Sequence, residues 1–439
     1  MNLKTILPYF LVSILTISCS STSEEIIDDS IDDSDLIVNA RSNILLVIAD
    51  DLGKDAMPNY SEGTIKPNMP TLQSLISAGI TFDNLWSYPV CTPTRASILT
   101  GKYGFKTGVL EVGDVISTTE TSLQQYIDNQ TGNEYATAII GKWHLSNTIA
   151  DPITMGIDYY AGILNGGVQS YTNWNLVENG QSNNSTEYTT TKFTDLAIDW
   201  VGNQSKPWFL WLAFNAPHTP FHLAPTNLHS QGNLPTDQAS IDANPMPYFM
   251  SAIEAMDSEL GRFLNSLPSE ERANTIIIFI GDNGTPNQVA QSPYAAMRAK
   301  GSIYQGGVNV PMVISGVGVN RFSSRESALV HTTDLFATIA NIAGVSVGEI
   351  ENSASFYDLL NDEDASQREF VYTERSNNGV SYAIRNADYK LIVHENGTQE
   401  FYHLTMDAYE TNNLIGTNLS NEAIMAKTAL EAEAAIIRQ

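Results

Sequence analysis

Three clusters in this sequence carry side chains able to do chemistry. The first is Cys91-Thr92-Pro93-Thr94-Arg95, which continues as Ala96-Ser97-Ile98-Leu99-Thr100-Gly101. With 2 Cys and 18 Pro in 439 residues, chance would produce a C-x-P-x-R pattern on the order of 0.002 times per chain. Ala96, Ile98 and Leu99 give the stretch Thr94 to Thr100 enough apolar character for a short helix. Cys91 then lies at the helix mouth, where unpaired N–H groups favour an anion, with Arg95 as a fixed cation beside it. Read alone, Cys91 is equally a buried, inert thiol. The second cluster is Asp50-Asp51 with Asp282-Asn283. It offers only oxygen donors, which suit Ca²⁺ or Mg²⁺ and not Zn²⁺. Asp50-Asp51 by itself reads as a solvated turn, but two acidic pairs that each close an apolar strand favour a metal. The third is Lys142 and His144, which share one face if a strand persists there. Their plain reading is a lysine at a strand end and a structural histidine.

The elements that must position these residues follow from hydrophobic patterning. Asn43 to Ala49 is a near-continuous apolar run and predicts a strand buried on both faces of a parallel sheet. It ends in Asp50-Asp51. The runs Thr137 to Ile140, Trp208 to Phe214, Thr275 to Ile280 and Val310 to Ile314 have the same form. They lead into Gly141-Lys142-Trp143-His144, Ala216-Pro217-His218, Gly281-Asp282-Asn283 and Ser315-Gly316. Amphipathic stretches around Thr71–Ser77, Thr121–Asn129, Thr191–Val201 and Tyr248–Leu267 alternate with them. Strand–helix alternation implies an α/β fold with ligands outside the carboxyl ends of the strands. After a helix over Thr332–Ala343, the runs Ser381 to Arg385, Lys390 to His394 and Glu400 to Leu404 predict a small antiparallel sheet. Ala423 to Ile437 predicts a terminal helix.

Charge and the amino terminus bound the setting. A net charge of −27 excludes a basic nucleic-acid footprint. Lys4 followed by the apolar run Ile6 to Ile17 predicts a targeting segment too short to span a membrane. Thr16-Ile17-Ser18-Cys19 resembles a bacterial lipobox with Cys19 as the lipidated residue, Thr16 standing where Leu is usual; an ordinary secretory signal is the alternative. The Ser-, Asp- and Glu-rich stretch that follows cannot bury a core and predicts a solvated tether. Cys19 and Cys91 are the only cysteines, so a lipidated Cys19 leaves no disulfide and an unpaired Cys91.

The pentapeptide at Cys91, Gly141-Lys142-Trp143-His144-Leu145, Pro217-His218-Thr219-Pro220 and Lys300-Gly301-Ser302 together resemble the type I sulfatases. The resemblance runs from about Asn43 to Leu414 and includes Ala383-Ile384-Arg385 and Tyr389-Lys390-Leu391. It implies an alkaline-phosphatase-like α/β fold: a large parallel or mixed sheet sandwiched by helices, and a smaller C-terminal α+β domain with an antiparallel sheet. The implied division is 1–19 signal peptide, 20–42 acidic linker, 43–345 catalytic domain and 346–439 C-terminal subdomain. It further implies that Cys91 is oxidised to formylglycine by a sulfatase-maturing enzyme. One Ca²⁺ would be held by Asp50, Asp51, Asp282, Asn283 and position 91. Lys142, Lys300 and Arg95 would neutralise the sulfuryl oxygens, His144 would assist formylglycine, and His218 or Lys300 would protonate the leaving group. The activity implied is hydrolysis of a sulfate ester, and envelope placement points to a sulfated poly- or oligosaccharide attacked from its end. Gly166 to Tyr188, with Tyr171 and Trp174, is read either as a solvated loop or as a source of hydroxyl contacts and sugar stacking. A phosphonate or phosphate ester hydrolase and a non-catalytic, glycan-binding surface lipoprotein are the alternatives. The protein would be exported and lipid-anchored in the periplasm or outer membrane of a Gram-negative cell. The family's E-G-G-x-R-V-P stands here as Gln305-Gly306-Gly307-Val308-Asn309-Val310-Pro311, which predicts the loss of a local salt bridge. His222, His229, His331, His394 and His403 fall outside the matches and are read as structural, with His222 near enough to line the pocket.

Overall fold

All seven residues of Asn43–Ala49 (β1) are buried. Ile44, Leu46 and Ile48 enter one core and Leu45, Val47 and Ala49 the other, because successive side chains of a strand leave on opposite faces. The protein was analysed as a computed structural model that describes residues 41–377 and 379–439. The lipidation reading at Cys19 and the acidic tether up to residue 40 lie outside the described residues.

The large sheet adds β2 (Gly79–Trp86), β3 (Ala136–Lys142), β4 (Tyr159–Ile163), β5 (Trp174–Glu178), β6 (Gln181–Ser185), β7 (Trp208–Ala213), β8 (Thr275–Gly281), β9 (Asn309–Gly316), β10 (Ser324–Glu326) and β11 (Val330–His331). Its order is β10-β2-β9-β8-β1-β7-β3-β4-β5-β6, with β11 also on β2. β8, β1, β7, β3 and β4 are mutually parallel. β9 runs antiparallel to both β8 and β2. The sheet is therefore mixed, not parallel, and Ser315-Gly316 lies at the end opposite the other polar clusters. An apolar run carries no direction, so patterning could not reveal this reversal.

Helices Pro70–Ser77, Thr189–Gly202 and Met246–Ser266 cover one face through residues such as Leu72, Phe193 and Phe249. Helices Cys91–Thr100, Leu123–Thr131 and Asp334–Ile342 cover the other through Ile98, Ile127 and Phe336. After the short pair β12 (Glu349–Ile350) and β13 (Ser353–Ala354), a separate antiparallel sheet forms from β14 (Val371–Ser376), β15 (Val380–Arg385), β16 (Tyr389–Val393) and β17 (Gln399–His403). One face of it packs Ile384, Leu391 and Phe401 against Leu430 and Ala434 of the terminal helix Asn421–Ile437. The other packs Val371, Ala383 and Ile392 against Trp86 and Val308 of the main body. Among the described residues no helix is long and apolar enough to cross a membrane.

Candidate active site

The carboxyl ends of β1, β2, β3, β7 and β8 deliver Asp50-Asp51, Cys91, Lys142 to His144, Asn215 to His218 and Asp282-Asn283 to one place. Cys91 is the first residue of its helix, so the helix starts three residues earlier than patterning predicts. Its Sγ lies 3.2 Å from His144 Nδ1. Thr92 Oγ1 lies 3.3 Å from the same nitrogen. Burial raises the Cys91 thiol above its ordinary value, with Lys142 opposing and Asp50 and Asp282 assisting; the thiol stays protonated.

β3 ends at Lys142, and His144 sits at φ 55°. The strand does not persist through both residues, which corrects the same-face expectation: a left-handed step turns His144 towards Cys91. Asp51 is also left-handed, at φ 70°. Such strain in non-glycine residues persists only where the surroundings enforce it. Here Asp51 N donates to Asp282 Oδ1 at 3.0 Å and Asn283 Nδ2 to Asp51 Oδ1 at 2.8 Å.

The charges interlock. Lys142 Nζ donates to Asp50 Oδ2 and Lys300 Nζ to Asp51 Oδ2, each at 2.6 Å. Arg95 is fully buried. Its Nη1 donates to the Lys142 carbonyl and its Nη2 to Asp282 Oδ2, both at 2.8 Å. This guanidinium is thereby fixed beside the carboxylates, where its charge is held in place. Burial pushes Asp51 up, but Lys300, then His218 and Lys142, outweigh it and hold the carboxyl below its usual range. Burial lowers Lys300, and Asp51 more than reverses this, so the ammonium keeps its proton. Burial, reinforced by Lys142 and Arg95, lowers His144 and keeps it neutral.

His218 Nδ1 lies 2.7 Å from Thr219 O; a carbonyl only accepts, so Nδ1 carries the hydrogen. His218 Nε2 faces Asp51 Oδ2 at 3.7 Å. The Gly166-Gly167 turn closes over both histidines: a Cβ at Gly166 would come within 2.5 Å of His144 Nε2, and one at Gly167 within 3.2 Å of His218 Nδ1.

The donor set fits a hard divalent cation. Ligand atoms of Asp50, Cys91 and Asp282 lie within 4.8 Å of one another, as do those of Asp50, Asp51 and His218. Asp50 Oδ1 and Asn283 Oδ1 are buried without a hydrogen-bond partner, an expensive state that a cation would relieve. Every site residue singled out between Asp50 and Lys300 is brought to this cluster. Two readings fail. Tyr171 is buried, donating to Asn215 O and His218 O at 2.8 and 2.7 Å and stacking on His222 at 3.8 Å. Trp174 is buried against Phe193, its Nε1 donating to Glu187 O. Neither ring is free to stack on a sugar; Tyr171 braces the backbone at Asn215 and His218. Asn215 was missed. It is fully buried, both its side-chain polar atoms lack partners, and the only sequence signal was its place three residues before His218. At the altered glycine motif, Gln305 Oε1 accepts from Trp86 Nε1 at 3.1 Å and its N donates to Glu410 Oε2 at 2.7 Å.

The fold and site define an α/β protein with a buried acidic cluster able to hold a metal ion beside a cysteine at a helix mouth. The chain belongs to the Sulfatase family, whose model matches residues 42–345. A second model, N-sulphoglucosamine sulphohydrolase, C-terminal, matches residues 297–435. Relatives include the uncharacterized sulfatase YdeN of Escherichia coli K12, 27% identical over 70% of this chain and 63% of its own length. A sulfatase of Formosa agariphila is 25% identical over 88% of this chain and 86% of its own. The chain spans only 54% of mouse arylsulfatase J. Among solved structures, Ps i-CgsB in complex with k-i-k-neocarrahexaose superposes with a TM-score of 0.77 at 24% identity, covering 91% of this chain and 93% of that one. BT4656 with D-glucosamine-2-N,6-O-disulfate gives 0.77 at 22%, covering 91% and 98%. These likenesses establish the fold.

Proposed function

We propose that the protein hydrolyses a sulfate ester of a sulfated poly- or oligosaccharide, acting from the chain end. Cys91 is converted to formylglycine by a sulfatase-maturing enzyme, and Asp50, Asp51, Asp282, Asn283 and position 91 hold one Ca²⁺. The reading rests on one observation: a buried residue at a helix mouth faces three carboxylates, two lysines and two histidines within a single cluster. The carbohydrate class is supported by the sugars seen in Ps i-CgsB and BT4656 and by the relative named N-acetylgalactosamine-6-sulfatase from Sus scrofa, 25% identical over 69% of this chain. The same proposal has the chain exported and anchored through lipid on Cys19 in a Gram-negative envelope, on the strength of the lipobox-like Thr16 to Cys19.

A protonated thiol is a poor nucleophile, so Cys91 needs the conversion. Formylglycine supplies a hydrated aldehyde with two hydroxyls on one carbon, which a serine lacks. Ca²⁺ supplies positive charge beside the reacting oxygens. The remaining work belongs to the chain. Lys142 and Lys300 exchange part of their contact with Asp50 and Asp51 for the sulfuryl oxygens, where preorganised charge contributes most. Neutral His144 takes a proton at position 91 through Nδ1. Lys300 holds its proton on Asp51, which leaves His218 as the donor to the departing alkoxide. Arg95 keeps Asp282 and the Lys142 carbonyl in place.

Mass spectrometry of the peptide spanning position 91, from protein releasing sulfate from a sulfated oligosaccharide, should find formylglycine. Cys91→Ala should lower release by at least about 10⁴-fold. Chelation should abolish release, and Ca²⁺ should restore it. An unmodified thiol in fully active protein overturns the mechanism. Preference for a matched phosphate ester overturns the reaction class.

A further inference from the structure

A cavity of about 440 Å³ opens where the main body meets the small antiparallel sheet, lined by Gly301, Arg375, Ser381, His394, Glu395 and Asn396 among others. It adjoins the active site directly. Lys300 Nζ lies on Asp51 at 2.6 Å, and Gly301, the next residue, donates its N–H to Pro89 O at 2.8 Å, two residues before Cys91. A Cβ on Gly301 would lie 3.4 Å from Arg375 Nη1. The guanidinium therefore sits against the residue that follows the lysine assigned to the reacting sulfate.

Arg375 is held but not used up. Its Nε donates to Glu111 Oε2 at 2.8 Å, which fixes the plane, while neither Nη has an acceptor among the described residues. A fixed fork with two free donors matches a carboxylate or sulfate in two parallel hydrogen bonds. His394 lines the same cavity. Its Nε2 is tied to Glu400 Oε1 at 2.8 Å, and its Nδ1 has no partner among the described residues. Glu395 is the one carboxylate in the lining among the described residues, an acceptor for hydroxyls. The cavity therefore combines one cationic donor, Arg375, with one carboxylate acceptor, Glu395, in a chain whose net charge of −27 otherwise repels anions.

We propose that this cavity binds the sugar next to the one being desulfated, with Arg375 recognising an oxyanion, a sulfate ester or a uronate carboxylate, on that neighbour. The inference rests on the sulfatase reading and adds that the substrate carries at least two anionic groups on adjacent residues. His394, read from sequence as merely structural, becomes part of this second site.

The test measures kcat/KM for sulfate release from paired disaccharides that differ only in the second anion. One pair gains a second sulfate, the other a uronate carboxylate in place of a neutral hexose. The expected result for at least one pair is a wild-type preference for the doubly anionic member that falls at least about tenfold in Arg375→Gln and is partly kept in Arg375→Lys. The pair that responds identifies the oxyanion. Should Arg375→Gln melt early, calorimetric binding of both members to the wild-type protein replaces it, and equal affinities overturn the proposal. Wild-type preference near unity in both pairs, or preference unmoved by the substitution, overturns it while leaving the sulfatase reading intact. Absence of sulfate release from every member overturns the parent reading and this one together.

Discussion

At the scale of single residues, buried charge decides most. Arg95, Lys142 and Asp282 have 1% or less of their side chains exposed, and each ion survives because it is paired. Burial, then Asp50, raises Asp282 to about 6, so the acidic cluster resents its own charge and is primed for a cation. Lys54 is the contrasting case. It is buried, donates to the Asp83 carbonyl and lies 5.0 Å from the centre of the Tyr60 ring, with no carboxylate on its ammonium. Burial lowers it from 10.5 to about 8, only partly opposed by Glu62 and Asp83. Below pH 8 the native state carries an ammonium it disfavours. Between about 8 and 10.5 the unfolded chain retains a proton that the native state has released, so stability rises with pH across that window. Lys54→Met should therefore be more stable than wild type by about 2 kcal/mol at neutral pH, and the gap should close above pH 10. Thermal melts at a series of pH values check this; a gap independent of pH would mean that burial of the ammonium is not what the substitution relieves.

At the scale of elements, the site depends on two places where backbone touches backbone or histidine. β3 and β4 approach so closely that a Cβ at Gly162 would fall 1.7 Å from Gly141 O, and Gly141 itself has φ 115°. At Gly166, four residues on, the three atoms nearest a Cβ all belong to the His144 ring. The two glycines should respond differently. Gly162→Ala cannot be accommodated by side-chain movement and should prevent folding or cost several kcal/mol, on the order of 4. Gly166→Ala should fold normally and push His144 away from position 91, lowering kcat by about 100-fold with little change in melting temperature. Circular dichroism with steady-state kinetics separates the two outcomes. Equal loss of stability would show that the Gly166 turn is structural and not a spacer over the histidine.

At the scale of the whole molecule, a chain with a net charge of −27 presents a pocket in which Arg95, Lys142 and Lys300 meet three carboxylates. A long sulfated chain brings many charges into that negative field, whereas a short one brings few. Raising ionic strength shortens the screening length from about 10 Å at 0.1 M, so KM for a polymer should fall with added salt. KM for a monosulfated monosaccharide should stay level or rise as the pocket's own attraction is screened. Measuring both across a salt series tests this; a polymer KM that climbs in parallel with the monosaccharide's would show that local cations, not net charge, govern approach. The small C-terminal sheet matters here too. It packs on Trp86 and Val308, and Arg375 on its first strand lies against Gly301, the residue after Lys300.

The sequence by itself determined the chemistry and the scaffold that carries it. Asp50-Asp51, Lys142, His144, His218 and Asp282-Asn283 were legible because each follows an apolar run, and an apolar run buried on both faces has few alternatives to a central strand; Cys91 to Arg95 stood out by its C-x-P-x-R pattern, and Lys300 by resemblance alone. Direction, orientation and exposure needed the tertiary structure. β9 runs backwards because hydrophobicity has no polarity. β2 was overlooked because Asp83 and Asn84 interrupt its apolar pattern. Arg95 is fixed beside the carboxylates because two acidic neighbours 187 and 45 positions away in sequence claim its guanidinium. Tyr171 and Trp174 face inwards because His222, Phe193 and backbone carbonyls offer them partners that no local pattern announces. Arg375, unremarkable in sequence, becomes a candidate contact only because the second sheet folds back onto the loop that carries Lys300. Local composition encodes what a residue can do; which partners it meets is set by contacts between segments hundreds of residues apart.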